Sequence, residues 1–239
     1  MILNGKSILV LGGSSGIGFG VAQATQATQA LGAGITIASR SREKIDAALS
    51  RLRGTADGVS LDTGNAVALE QFFAEHDPFD HVFCSAAHTK VASVRELPLE
   101  EAYASFDSKF WGAYRLARSA RIVDGGALTM TSGFLSMRPR KGTAIQSANN
   151  AGLEGLTRGL ALEFAPTRVN CVAPGLIMTE MYDKLGGDQR KAMFEGAARL
   201  LPVGLVGSPE HVATQVIAFM TNPYITGTTV YVDGGGAIA

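Results

Sequence analysis

The sequence predicts an α/β fold, a single domain built on a doubly wound, seven-stranded parallel sheet. Three observations predict it. Seven short strand-like runs alternate with helix-like segments along the chain, no linker-like break divides them, and the first strand runs directly into a glycine-rich turn that opens a helix.

The elements follow in order. Lys6 to Leu11 (KSILVL) is a short, bulky apolar run. GGSSGIG follows it and opens an Ala-rich segment read as a helix over 16–31. Further strands are expected over 34–39 (GITIAS), 57–61 (DGVSL), 80–86 (DHVFCSA), 126–131 (GALTMT), 167–173 (TRVNCVA) and 228–232 (TTVYV). Helices are expected near 42–53, 65–75, 99–121, 144–165 and 208–220. Such alternation implies parallel crossovers, with ligands at the carboxyl ends of the strands. The echo ATQATQA at 24–30 is local bias, because a period of three does not maintain a helical face.

Composition agrees. At 239 residues, 46% apolar and 18% charged, the chain suits one globular domain with an ample core. Net charge is zero and the pI about 6.9, so long-range electrostatics favour neither a nucleic-acid nor an acidic-membrane partner. No apolar run approaches a membrane span, and MILNGKSILVLGG has no basic region before its apolar stretch, so a cytoplasmic protein is expected. Cys84 and Cys171 both fall in strand-like segments, which favours buried free thiols over a disulfide or a metal site.

The glycine turn and the later landmarks carry a specific resemblance. Glycines at 12, 16 and 18 allow a tight turn and a close approach to a pyrophosphate, which the N–H groups at the helix start attract. Their spacing, G-x-x-x-G-x-G, resembles that of the short-chain dehydrogenase/reductase family, which has a Rossmann fold. The resemblance extends through SLDT, LTMTSG, RVNCVAPGLIMT and TGTTVYVDGG. It implies cofactor contacts from Gly12, Ser14, Ser15, Gly16, Ile17 and Gly18, from Asp62 and Thr63 beside the adenine, from Ala86 after the fourth strand, and from Pro174, Gly175, Ile177 and Thr179 around the nicotinamide. It also implies that Ser132 stands at the catalytic serine.

Cofactor choice is read at the end of the second strand. NAD is usually held there by a carboxylate on the ribose 2′-hydroxyl, whereas a 2′-phosphate needs a cation and small donors. Ser39 takes the acidic position, with Arg40 next to it and Ser14 in the glycine turn, so NADP is expected.

The departures from the family pattern are at its chemical centre. Aligning the helix AGLEGLTRGLALEFAP puts Gln146 at the tyrosine of Y-x-x-x-K and Asn150 at its lysine. No other pair exists: the residues four after the five tyrosines are Asp107, Arg118, Gly186, Thr228 and Gly235. The family's N-N-A-G becomes Cys84-Ser85-Ala86-Ala87, and its helix asparagine becomes Lys109. In the family the tyrosine moves the substrate proton while the lysine lowers its pKa and binds ribose, and a positioned general acid is worth about 10²–10⁴ in rate. An amide does not titrate usefully, but Gln146 and Ser132 can together bind a carbonyl oxygen. Lys109 lies on an inward stripe with Phe106, Ala113, Leu116 and Ala120, where it either replaces the missing cation from another helix or snorkels to an edge or subunit interface. His88 and Tyr182, on loops at the active-site end, are alternative proton donors.

Three functional classes follow. The first is an NADP(H)-dependent oxidoreductase of the carbonyl reductase or alcohol dehydrogenase type, with an atypical site. The second is a non-redox isomerase or cyclase on the same scaffold, and the third a catalytically inactive cofactor-binding protein. Segment 176–207 is expected to form a substrate lid, with Leu176, Met178, Met181, Tyr182, Leu185, Met193 and Phe194 offering an apolar or mixed pocket to a small molecule. The resemblance also implies a homodimer or homotetramer packing through 99–121 and 144–165, with Trp111 and Tyr114 free to face a partner.

Overall fold

A computed structural model describes residues 3–28 and 34–239. Seven strands form one parallel sheet in the order β3-β2-β1-β4-β5-β6-β7. They are β1 (Ile8–Leu11), β2 (Ile35–Ser39), β3 (Ala56–Ser60), β4 (Phe79–Cys84), β5 (Ile122–Thr131), β6 (Arg168–Pro174) and β7 (Thr229–Val232). The apolar runs seen in the sequence are those of strands buried on both faces: every residue of β1 and β6 is buried. Alternate residues serve opposite cores. Leu9 and Leu11 pack with Phe72, Phe73, Leu116 and Leu153 on one face, while Ile8 and Val10 pack with Phe19, Val212, Val216 and Phe219 on the other.

The first face is covered by α3 (Ala66–Glu75), α5 (Gly112–Ser119) and α6 (Ala144–Glu163), with α4 (Leu99–Phe106) packed beside α6. The second is covered by α1 (Gly16–Thr28), α2 (Arg42–Leu49) and α8 (Pro209–Thr221), with α7 (Gly187–Leu200) in the segment before α8. Side-chain caps start two of these helices. Ser41 accepts from the Lys44 N–H at 3.3 Å and Asn65 accepts from the Ala68 N–H at 3.0 Å. Positions 29–31 of the helix expected over 16–31, and the end of the ATQATQA echo, lie outside the described residues.

The structure departs from the sequence reading in three places. The helix expected over 99–121 is α4 and α5 joined by a π-helical segment, Asp107–Trp111. Strand β5 begins at Ile122 rather than at 126, because Val123–Gly126 bulge out of register between the pairs Phe79–Ile122 and His81–Ala127. Gly125 takes φ of +76° in that bulge, which other residues rarely adopt, so Asp-Gly-Gly reads as a turn although it lies within a strand. Within 176–207, taken as a lid, the chain forms α7.

Candidate active site

The sheet's strand order reverses at β1, which has β2 on one side and β4 on the other. Ligands of open α/β sheets bind in the crevice beyond such a point. The glycine turn sits there, and its shape excludes side chains. A Cβ on Gly12, whose φ is +82°, would lie 2.8 Å from Ser85 Oγ and 2.9 Å from the Ala86 nitrogen. One on Gly18 would lie 2.1 Å from the Gly12 oxygen. The turn is a cradle of bare backbone at the start of α1, which fits a pyrophosphate. Its anion affinity is already expressed, since the Gly16 N–H donates to Glu180 Oε2 at 2.9 Å.

The expected phosphate-binding serines come together, Ser14 Oγ donating to Ser39 Oγ at 2.9 Å, with Arg40 exposed beside them. Ser15 is exposed in the turn and Ile17 packs against the second core. Asp62 accepts the Gly64 N–H at 2.9 Å, and buried Thr63 lies where a Cβ on Gly112 would meet its Oγ1 at 2.9 Å. Ala86 follows β4. Pro174 ends β6, and Gly175 passes so close to Asp233 that a Cβ would lie 2.7 Å from its Cα. Ile177 bridges to Gly207, and Thr179 reaches back to within 3.4 Å of a Cβ built on Gly16. These positions all gather at the carboxyl edge of the sheet.

Lys109 lies in the π-helical segment, a feature often found at functional sites. Its neighbour Phe110 packs on Gly152 of α6, where a Cβ would meet the ring at 3.2 Å. That close approach lets Lys109 Nζ donate to Asn150 Oδ1 at 2.6 Å and to the Ser132 carbonyl at 2.8 Å. Burial away from water drives the ammonium's pKa down from 10.5 to about 8, partly offset by Cys171, Glu154 and Cys84. Cys84 and Cys171 are buried free thiols, and burial pushes the Cys84 thiol up to about 11.

Ser132 and Gln146, the expected oxygen-binding pair, each hydrogen-bond to another group of the protein. Gln146 Nε2 donates to the Lys90 carbonyl, leaving its Oε1 buried without a partner. Ser132 Oγ donates to Glu154 Oε1 at 3.0 Å. Glu154 lies two turns along α6 from Gln146, roughly 12 Å by helical rise. The physical reason is local: adjacent residues of an extended segment point opposite ways. Gly133, not Ser132, faces the site, since a Cβ there would lie 2.9 Å from Asn150 Nδ2. Among the alternative proton donors, His88 is exposed, and its backbone N–H donates to Ser108 Oγ at 2.8 Å. Tyr182 packs edge-on against Phe194, and burial raises its phenol's pKa.

Sequence reasoning missed Glu154. Besides Ser132, its carboxylate accepts from Ser136 Oγ at 2.6 Å and from the Tyr231 hydroxyl at 2.9 Å. The available signal was its place four residues after Asn150 on a buried stripe, where a carboxylate needs donors. Two clefts open nearby. One, of about 600 Å³, lies beside Gly16 and takes Met178 and Phe194; the other, of about 590 Å³, takes Leu176. The apolar lid residues are therefore divided between two spaces.

Comparison with known proteins agrees with this fold. A family model described as enoyl-(acyl carrier protein) reductase matches residues 12–236. The short-chain dehydrogenase/reductase ATR9 of Stachybotrys chlorohalonatus is 32% identical, over 98% of this chain and 97% of its own. A small-chain dehydrogenase crystallised with NADPH is 32% identical, with a TM-score of 0.83 over 98% of this chain and 99% of that one. The MalC reductase/Diels-Alderase of Malbranchea aurantiaca is 26% identical, with a TM-score of 0.88 over 98% and 97%. With the glycine cradle, the strand order and a match over nearly the whole chain, the protein belongs to the short-chain dehydrogenase/reductase family.

Proposed function

We propose that the protein is an NADP(H)-dependent oxidoreductase acting on a carbonyl/alcohol pair, in which Lys109 takes over the work of the family's lysine and supplies the proton. The observation that carries this reading is the buried Lys109 ammonium, held by Asn150 and the Ser132 carbonyl. Gly12, Gly16 and Gly18 would seat the pyrophosphate, Ser14, Ser39 and Arg40 the 2′-phosphate, and Gly175, Ile177 and Thr179 the nicotinamide. When bound, the cofactor supplies or accepts hydride.

Lys109 uses two of its three N–H donors on the protein, which leaves one for a ribose hydroxyl or a substrate oxygen. With a pKa near 8 it exchanges that proton close to neutral pH, where general acids work best. The decisive experiment is Lys109→Ala. Loss of turnover together with weaker NADPH binding by calorimetry is expected, and unchanged values for both would sink the role given to Lys109.

A second reading, a non-redox ring-forming or isomerising enzyme, is favoured by one observation. The hydroxyl of Ser132 donates to Glu154 and one of the two amide N–H groups of Gln146 donates to the Lys90 carbonyl, so the Ser132 hydroxyl is not free to bind a substrate carbonyl. MalC, the Malbranchea relative, is named for both reduction and a Diels–Alder reaction. Substrate conversion without consumption of NADPH would establish this reading.

The assembly is read as a homodimer or homotetramer packed through the α4–α5 and α6 faces. Trp111 and Tyr114 support this, remaining 48% and 42% exposed while forming an edge-to-face pair. The two free thiols support a reducing compartment such as the cytoplasm. Among the described residues no helix is long and apolar enough to cross a membrane.

A further inference from the structure

Beyond the Gly175 turn, the 590 Å³ cleft has a size that suits a small-molecule ligand. Its walls divide by chemistry. Leu176, Ala197, Leu200 and Leu201 form an apolar side, and Arg138 and Arg140 stand on the loop between β5 and α6. That loop is held in place by its own backbone. The Arg138 N–H donates to the Phe134 carbonyl at 3.0 Å, and the Arg140 N–H donates to Oγ1 of buried Thr143 at 2.8 Å. The Arg140 guanidinium lies 5.3 Å from the Phe134 ring centre, and its charge lowers the Tyr182 phenol's pKa against the upward push of burial.

These cations are unspent. Among the described residues, no ion pair within 4.0 Å involves Arg138, Arg140 or the adjacent Lys141. Asp233, whose carboxylate shares the cleft, is already committed. Its Oδ1 accepts the Gly235 N–H at 3.0 Å and its Oδ2 the Ala237 N–H at 2.7 Å. The cleft thus pairs an apolar wall with two guanidinium groups on an anchored loop, next to the turn assigned to the nicotinamide. Guanidinium forks match carboxylate and phosphate oxygens better than they match neutral groups.

We propose that this cleft is the substrate site and that its ligand is an amphipathic anion, an apolar body carrying a carboxylate or phosphate gripped by Arg138 and Arg140. Its role as substrate site rests on the oxidoreductase reading; the binding itself does not. The test is calorimetry on the whole chain without cofactor, using 6-phenylhexanoate, 6-phenylhexyl phosphate and the neutral methyl 6-phenylhexanoate. At least one anion is expected to bind about tenfold or more tightly than the ester, and the better of the two identifies the headgroup. Arg138→Ala and Arg140→Ala are each expected to weaken that anion about tenfold without changing ester binding, and the double variant to abolish the preference. Both arginines are exposed, so an unchanged melting temperature shows that the fold survives.

Equal binding of anions and ester, or an undiminished preference in the double variant, overturns the proposal. Anion binding at the arginines with no redox turnover of any hydroxy or oxo acid supports the binding site and removes the oxidoreductase reading. Turnover of neutral carbonyls without anion binding does the reverse.

Discussion

On the proposed reading, Arg40 sets the choice of cofactor and Lys109 the chemistry. Arg40 is exposed beside the hydrogen-bonded Ser14–Ser39 pair, with Ser39 at the strand end where an NAD-binding site usually carries a carboxylate. NADPH is expected to bind more tightly than NADH, and Arg40→Ala to remove most of the difference, about tenfold or more. Equal affinities of the two cofactors for the parent protein, by calorimetry, would refute this. Lys109 leaves a signature in stability. Its folded pKa, about 8, lies below the ordinary 10.5, so the unfolded chain binds more protons between these values and this contribution to stability rises with pH. Below pH 8 the folded protein bears the full cost of the buried charge, roughly 3 kcal/mol, and above about 10.5 the cost is gone. Chemical denaturation of the parent and of Lys109→Met across pH 7 to 11 should therefore show the parent gaining on the variant above pH 8. A constant difference would mean that Lys109 is not a desolvated ammonium.

At the scale of the element, α6 carries Gln146, Asn150 and Glu154 as a buried stripe. Gln146→Tyr with Asn150→Lys restores the family's proton donor and cation together, but it places a second ammonium against Lys109. Like charges in one pocket depress each other's pKa, so adding Lys109→Asn should give faster NADPH oxidation with activated carbonyls than the double variant or the parent. A serine is still missing from the facing strand. Gly133 has extended backbone, which any residue adopts, and its missing Cβ points at the Asn150 amide. Adding Gly133→Ser is expected to raise the rate again, because Ser132 remains bound to Glu154. No gain from the fourth change in stopped-flow measurements would return the catalytic serine to position 132.

For the whole molecule, the prediction concerns assembly. Light scattering at micromolar protein should give a dimer or tetramer, and Trp111→Glu should shift it toward monomer; a monomeric parent would count against packing through α4–α5 and α6. The strands and their parallel order were legible in the sequence because burial on both faces writes β1 as an unbroken apolar run and leaves β6 mostly apolar, with Arg168 and Asn170 as its polar interruptions. The glycine turn was legible because bare backbone demands glycine. The π-helical segment was not, since its residues keep a helical pattern and nothing local marks the wider turn. Nor was the Glu154 network, whose donors at 132, 136 and 231 come from three separate elements. The side-chain direction of Ser132 was lost to a local cause: adjacent residues of an extended segment point opposite ways, so an alignment one residue off selects the other face.

Glu180 gives the molecule an order of events. Its carboxylate occupies the Gly16 N–H that a pyrophosphate would use, and it sits at the head of the segment leading into α7. Entry of the dinucleotide would then exchange one anion for another, and displacement of Glu180 would carry the covering segment with it. Because that segment also lines both clefts, the second ligand meets a finished surface only after the first has arrived. Steady-state kinetics should therefore be compulsory-ordered, with the dinucleotide on first and off last, and NADP⁺ competitive only against NADPH. Glu180→Ala should tighten dinucleotide binding and relax that order toward random addition.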